Sequence, residues 1–88
     1  MAWTIKYSET AKKQLRKLDK LAARRIADFM DQRVAQTQYP REMGKALKGA
    51  LGDLWRYRVG DYRILCDIQD EVLTVLVLQL GNRREVYR

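Results

Sequence analysis

No histidine occurs anywhere in the 88 residues, and Cys66 is the only thiol. Catalysis by imidazole is therefore excluded, as is a disulfide within the chain, and no soft-ligand metal site can be assembled from one cysteine. No metal or other cofactor is expected. Acidic residues are also in short supply, 11 against 18 lysines and arginines, for a net charge of +7. The excess is spread over both halves, +5 for Met1–Gly44 and +2 for Lys45–Arg88. Such a balance favours nucleic acid or another anionic surface as partner. Long apolar runs are missing too. The longest uncharged run, Val72–Asn82, is too short to cross a bilayer as a helix, and the N-terminus lacks a basic-then-apolar leader. A soluble, cytoplasmic protein without membrane contact is expected. A single domain of this length buries only about 60% of its unfolded surface, so its core is thin.

Against these shortages stands one dense segment, Leu54-Trp55-Arg56-Tyr57-Arg58-Val59-Gly60-Asp61-Tyr62-Arg63-Ile64-Leu65-Cys66. Alternation along a strand sends Trp55, Tyr57 and Val59 to one face and Leu54, Arg56 and Arg58 to the other. Gly60-Asp61 reads as a two-residue hairpin turn with glycine where positive φ is needed. That turn predicts the pairs Val59–Tyr62, Arg58–Arg63, Tyr57–Ile64, Arg56–Leu65 and Trp55–Cys66. Arg56, Arg58 and Arg63 then converge on one face, and Cys66 falls on the apolar side as a core residue. Like charges directly opposite on a sheet cost about 0.2–1 kcal/mol. A bound phosphodiester would relieve that conflict, because the arginine fork matches phosphate oxygens.

Upstream, Thr4–Tyr7 alternates as a short strand, and Ser8 is a helix cap with Glu9 in the first turn. An amphipathic helix is predicted over Glu9–Asp19, with Lys12, Lys13, Arg16 and Lys17 outside. A second follows over Leu21–Gln38, with Ala22, Ile26, Phe29, Met30 and Val34 inside and Pro40 past its end. The two form a helical hairpin. Tyr39–Asp53 reads as a loop carrying Lys45 and Lys48. After a turn at Asp70-Glu71, Val72–Leu80 is apolar on both faces and so lies inside the sheet. The pairs Ile64–Val77, Cys66–Val75 and Ile68–Leu73 follow, and they leave Leu65, Leu76 and Leu78 on the arginine face. The tail adds Arg83, Arg84 and Tyr87. The expected class is α+β: an N-terminal strand, a helical hairpin, and a three-stranded antiparallel meander whose sheet carries the helices on one face.

The order of these elements, with Leu47-Lys48-Gly49, the Arg58-Val59-Gly60-Asp61-Tyr62-Arg63 core and the ending Arg83-Arg84-Glu85-Val86-Tyr87, resembles the RelE/ParE superfamily of toxin–antitoxin systems over essentially the whole chain. The ending is similar to the RelE branch. That resemblance implies a ribosome-dependent endoribonuclease that cleaves mRNA in the A site. Its catalytic residues would fall on Arg56, Arg58, Arg63, Arg83 and Tyr87, with Lys45, Lys48 and Arg84 as RNA contacts. The basic helical residues Lys12, Lys13, Arg16, Lys17, Lys20, Arg24 and Arg25 would meet ribosomal RNA backbone, a salt-sensitive contact without sequence preference. It further implies a cognate antitoxin, whose helix would cover Leu65, Leu76 and Leu78, and binding to operator DNA only as the toxin–antitoxin complex.

Three positions depart from the RelE pattern: Arg56 and Arg58 stand where lysines are common, and Asn82 where many relatives carry histidine. Arginine, with a pKa above about 12, is a poor base. The base for the ribose 2′-hydroxyl thus narrows to Tyr87, whose phenolate neighbouring cations favour. Arg58 and Arg63 would hold the scissile phosphate and Arg83 the leaving oxygen. Two other functions fit the same residues: a ParE-like toxin that binds DNA gyrase without cleaving RNA, and a non-catalytic RNA-binding regulator.

Overall fold

The computed structural model describes residues 2–47 and 53–82. The chain runs β1 (Thr4–Tyr7), α1 (Glu9–Lys17), α2 (Lys20–Asp28), a π-helical turn (Phe29–Val34), a 3-10 turn (Pro40–Met43), β2 (Lys45–Ala46), β3 (Trp55–Val59), β4 (Tyr62–Gln69), a second 3-10 turn (Asp70–Val72) and β5 (Thr74–Asn82). The five strands form one sheet in the order β1-β5-β4-β3-β2. The class is α+β, as the residue pattern predicts, with two additions to the expected meander. β1 joins the sheet parallel to β5, and the stretch expected to be loop supplies both β2 and the first 3-10 turn.

Side-chain caps start both helices. The Ser8 hydroxyl accepts from Ala11 N (3.0 Å) and donates to Leu78 O (2.8 Å), so one residue begins α1 and fastens it to β5. Asp19 accepts from Ala22 N (2.7 Å) and begins α2. Gln14 Oε1 takes the Leu80 N–H (2.7 Å), a second tie between α1 and β5. Past Asp28 the ladder lengthens to i→i+5, with Ala35 N bonded to Met30 O at 2.8 Å. This keeps Met30 and Val34 buried against the sheet. The core is one cluster of Ala11, Ile26, Met30 and Val34 from the helical side with Tyr57, Ile64, Cys66, Val75, Val77 and Leu80 from the sheet. Cys66 is fully buried, and burial pushes its thiol pKa well up, so it is a packing residue and not a nucleophile.

The β3–β4 hairpin has all five predicted pairs, Trp55–Cys66 through Val59–Tyr62, and Gly60 turns it with φ +57°. The β4–β5 register differs from the expectation in two steps. The turn is two residues wider: Asp70–Val72 forms the 3-10 turn, Leu73 closes it in the left-handed region at φ 47°, and Gln69 pairs with Thr74. This moves Cys66 from Val75 to Val77 and Ile68 from Leu73 to Val75. A two-residue slip preserves the faces. A bulge between Leu65 and Cys66 then shifts the pairing again, so that Leu65 faces Gln79, Ile64 faces Leu80 and Arg63 faces Gly81. Leu78 is the extra residue at that bulge. Leu65 is itself only 4% exposed, so its apolar surface is already covered without an antitoxin, whereas Leu76 and Leu78 are half-buried.

Candidate RNA-binding and catalytic site

The face of the sheet opposite the helices carries the arginines. Arg56 and Arg58 project from β3, and Arg63 stands beside Arg58 from β4. β2 adds a cation that alternation within the hairpin cannot place: Lys45 pairs with Arg56 and so shares its face. Arg58 is exposed, while Arg56 and Arg63 are half-buried. Among the described residues Lys45, Arg56 and Arg58 make no hydrogen bond or ion pair through their side chains, which leaves three cationic heads available to an anion. Two cavities border them. One of about 280 Å³ is lined by Glu42, Met43, Gly44, Lys45, Arg56 and Arg58. A second, of about 210 Å³, is lined by Arg58, Gly60, Asp61 and Arg63 at the hairpin tip.

The wall of the first cavity is the Pro40–Met43 turn, fixed to the sheet by a set of contacts that sequence reading does not reveal. Tyr57 OH donates to Pro40 O (2.7 Å) from a buried position, and Trp55 Nε1 donates to Arg41 O (3.0 Å). Arg41 forks onto the Asp70 carboxylate at 2.8 and 2.7 Å and lies over the Trp55 ring at 5.8 Å. The guanidinium of Arg41 holds the Asp70 carboxyl below the ordinary carboxylate range. Gly44 then lies flat against β3. A Cβ at Gly44 would collide with the Arg56 carbonyl oxygen and stand 2.9 Å from ring carbons of both Trp55 and Tyr57. Only a glycine lets the chain pass this close and enter β2 with Lys45 beside Arg56. The sequence signal for this wall is Pro40 with Gly44 four residues later, a one-turn helix between a starter and a stop.

The helical cations are where the periodicity places them: Lys12, Lys13, Arg16, Lys17, Lys20, Arg24 and Arg25 are all exposed. Lys12 makes an i,i+3 pair with Glu9 at 3.6 Å. Since both helices cover the other face of the sheet, this basic surface and the arginine face point in opposite directions. Arg25 approaches the boundary, its Nη2 3.9 Å from the position a Cβ on Gly60 would take. The expected contributions of Lys48, Arg83, Arg84 and Tyr87 lie outside the described residues. β5 does end next to the site, with Gly81 opposite Arg63. Among the described residues no cluster of three or more His, Cys, Asp or Glu is placed to hold a metal ion, and no helix is long and apolar enough to cross a membrane.

Comparison with known proteins agrees with this geometry. The family model for the ParE toxin of type II toxin–antitoxin systems, parDE, matches residues 5–87. Toxin RelG of Mycobacterium tuberculosis is 31% identical over 88 residues, covering 100% of this chain and 99% of the relative. In the crystal structure of the RelBE2 toxin–antitoxin complex from the same organism, a chain 28% identical superposes with a TM-score of 0.87, covering 97% of this chain and 95% of that one. The archaeal RelE–RelB complex from Pyrococcus horikoshii gives a TM-score of 0.76 at 29% identity, over 98% of this chain and 100% of its match. With a family model spanning nearly its whole length and a full-length relative above 30% identity, the chain belongs to the RelE/ParE superfamily of type II toxin–antitoxin toxins, with close homology to its RelE-like members.

Proposed function

We propose that this toxin is an endoribonuclease that acts on mRNA in the ribosomal A site and so stops translation in the cytoplasm. The observation that carries the reading is the arginine face. Arg56, Arg58 and Arg63 are brought together by strand pairing, β2 adds Lys45, and no carboxylate neutralises Lys45, Arg56 or Arg58 among the described residues. Such a face stabilises the charge that develops when a ribose 2′-oxygen attacks the adjacent phosphorus and the 5′-oxygen leaves. Arg58 and Arg63 hold the phosphate, Arg83 neutralises the leaving oxygen and Tyr87 takes or orients the 2′-hydroxyl proton. Lys45, Lys48 and Arg84 contact neighbouring phosphates.

Without imidazole much of the rate comes from positioning, so the ribosome, which bends mRNA toward in-line geometry, is part of the catalyst. The exposed helical cations Lys12, Lys13, Arg16, Lys17, Lys20, Arg24 and Arg25 dock on ribosomal RNA backbone. The cognate antitoxin covers Leu76 and Leu78, and operator DNA is bound only by the toxin–antitoxin complex. The match to a ParE model favours a second reading, a gyrase-binding toxin without nuclease activity. Primer extension on a defined mRNA in a purified translation system separates the two. New ends at A-site codons, absent from free RNA, are expected. Intact mRNA together with loss of gyrase supercoiling would overturn the nuclease reading.

A further inference from the structure

The cationic cavity contains one residue of the wrong sign for a phosphate site. Among the described residues lining it, Glu42 is the single carboxylate, beside Lys45, Arg56 and Arg58. Its side chain is exposed and makes no ion pair or hydrogen bond with any described residue. Its backbone, by contrast, is held firmly. The Glu42 N–H donates to Tyr39 O at 3.0 Å, and the carbonyls of the two preceding residues are gripped by Tyr57 and Trp55. The neighbouring Arg41 is engaged by Asp70, so that pair leaves Glu42 free. A free carboxylate on a rigid turn weakens phosphate binding through repulsion, and a site selected for anion affinity alone would do better without it. It accepts hydrogen bonds and donates none. In a nucleotide whose phosphate lies on the arginines, the donors are the ribose hydroxyls, of which the 2′ is given to Tyr87 in the reading above, and the N–H groups of the base.

We propose that Glu42 reads the base of the bound nucleotide and selects guanine, accepting from its adjacent N1–H and N2–H groups. Guanine is the base with two neighbouring donors on its Watson–Crick edge. Adenine and cytosine offer an amino group beside an acceptor nitrogen that repels the carboxylate, and uracil offers one N–H flanked by two carbonyl oxygens. Reading single-stranded bases on this edge is the usual source of sequence preference toward RNA. Glu42 is thus a specificity residue, and the assignment rests on the endoribonuclease reading.

The test compares the purified full-length protein with its Glu42→Ala and Glu42→Asp variants on ribosomes programmed with A-site codons that differ only at one base. The wild type is expected to cleave the guanine codon about tenfold or more faster than the uracil codon. Glu42→Ala brings that ratio to within about twofold of unity, chiefly by slowing the guanine codon, and Glu42→Asp restores part of it. A role in folding alone would slow every codon in proportion, so an unchanged ratio in Glu42→Ala overturns the proposal, as does a wild type without preference. Titration of guanosine and uridine 3′-monophosphates followed by NMR gives a readout independent of turnover. Discrimination there without cleavage would uphold Glu42 and refute the nuclease reading, whereas equal binding of both nucleotides with no cleavage would remove both.

Discussion

Two glycines border the site for different physical reasons, and substituting each tests the geometry. Gly44 has ordinary extended backbone, φ −146° and ψ −162°, so no L-residue is strained there by its dihedrals. Its requirement is space: a Cβ would strike the Arg56 carbonyl oxygen and lie 2.9 Å from Trp55 Cδ1 and Tyr57 Cδ1. A backbone oxygen within a strand cannot rotate away, so Gly44→Ala must lift either β2 or the Pro40–Met43 turn. Overpacking of this kind costs about 1–3 kcal/mol, and the fixed obstacle puts this case at the upper end. At about 4–8 °C per kcal/mol for a domain of this size, Gly44→Ala melts roughly 12–24 °C below wild type.

Gly60 is the reverse case. Its φ is +57°, while the nearest atom to an added Cβ is a mobile Arg25 nitrogen at 3.9 Å. Gly60→Ala therefore costs about 1–2 kcal/mol from conformation alone. Asparagine, which tolerates the left-handed region, recovers much of that loss at Gly60 and none of it at Gly44. Thermal melts of the four variants decide the matter. A Gly44→Ala protein within about 4 °C of wild type, or rescue by asparagine at both positions, would refute the argument that close approach to β3 sets the cavity wall.

Two tyrosines give a second contrast. Tyr57→Phe leaves the Pro40 carbonyl without its partner and lowers stability by about 1–3 kcal/mol in urea titration. The hydroxyl of Tyr7 is buried with no hydrogen-bond partner among the described residues, and burial pushes its pKa up to about 12, with Asp31 and Cys66 adding to the effect. Tyr7→Phe should be neutral or stabilising, and a loss above about 1 kcal/mol would show that the phenol has a partner. Arg58→Glu replaces a like-charge pair with an opposite one across from Arg63. It should gain about 0.2–1 kcal/mol while abolishing cleavage, and a variant both less stable and still active would contradict the repulsion argument and the catalytic assignment. The depressed Asp70 carboxyl contributes stability that is present above its unfolded pKa near 3.9 and lost as pH falls through the lower folded value. Asp70→Asn should flatten the acid limb of a stability–pH curve, and by less as salt is added because the pair is exposed.

The β3–β4 hairpin was legible because its signals are local: strict alternation, glycine and aspartate at the turn, and no irregularity across the five pairs. The β4–β5 register was not, for two reasons with no residue signature. Leu73 takes the left-handed position that closes the turn, where leucine is a poor advertisement for positive φ, and the bulge beside Leu65 interrupts a stretch with no glycine to mark it. Lys45 was identifiable as a cation but not as a neighbour of Arg56, since a two-residue strand has no periodicity to read. Nothing in the sequence singles out Glu42, because what distinguishes it is the cavity it shares with three cations contributed by two strands. The π-helical turn at Phe29–Val34 preserves the buried stripe expected of a longer helix, so the apolar spacing was informative even where the helix type was not.

The parallel partnership of β1 with β5 sets the timetable of biosynthesis. Residues 4–7 find their strand partners only at residues 74–77, and the cap of α1 reaches 70 positions along the chain to Leu78. An emerging polypeptide therefore has no seat for β1 until about 70 further residues have been translated. Such topologies fold slowly for their size. The arginine hairpin, by comparison, closes from neighbouring residues. Folding is thus expected to array the hairpin's cations before the N-terminal strand is secured.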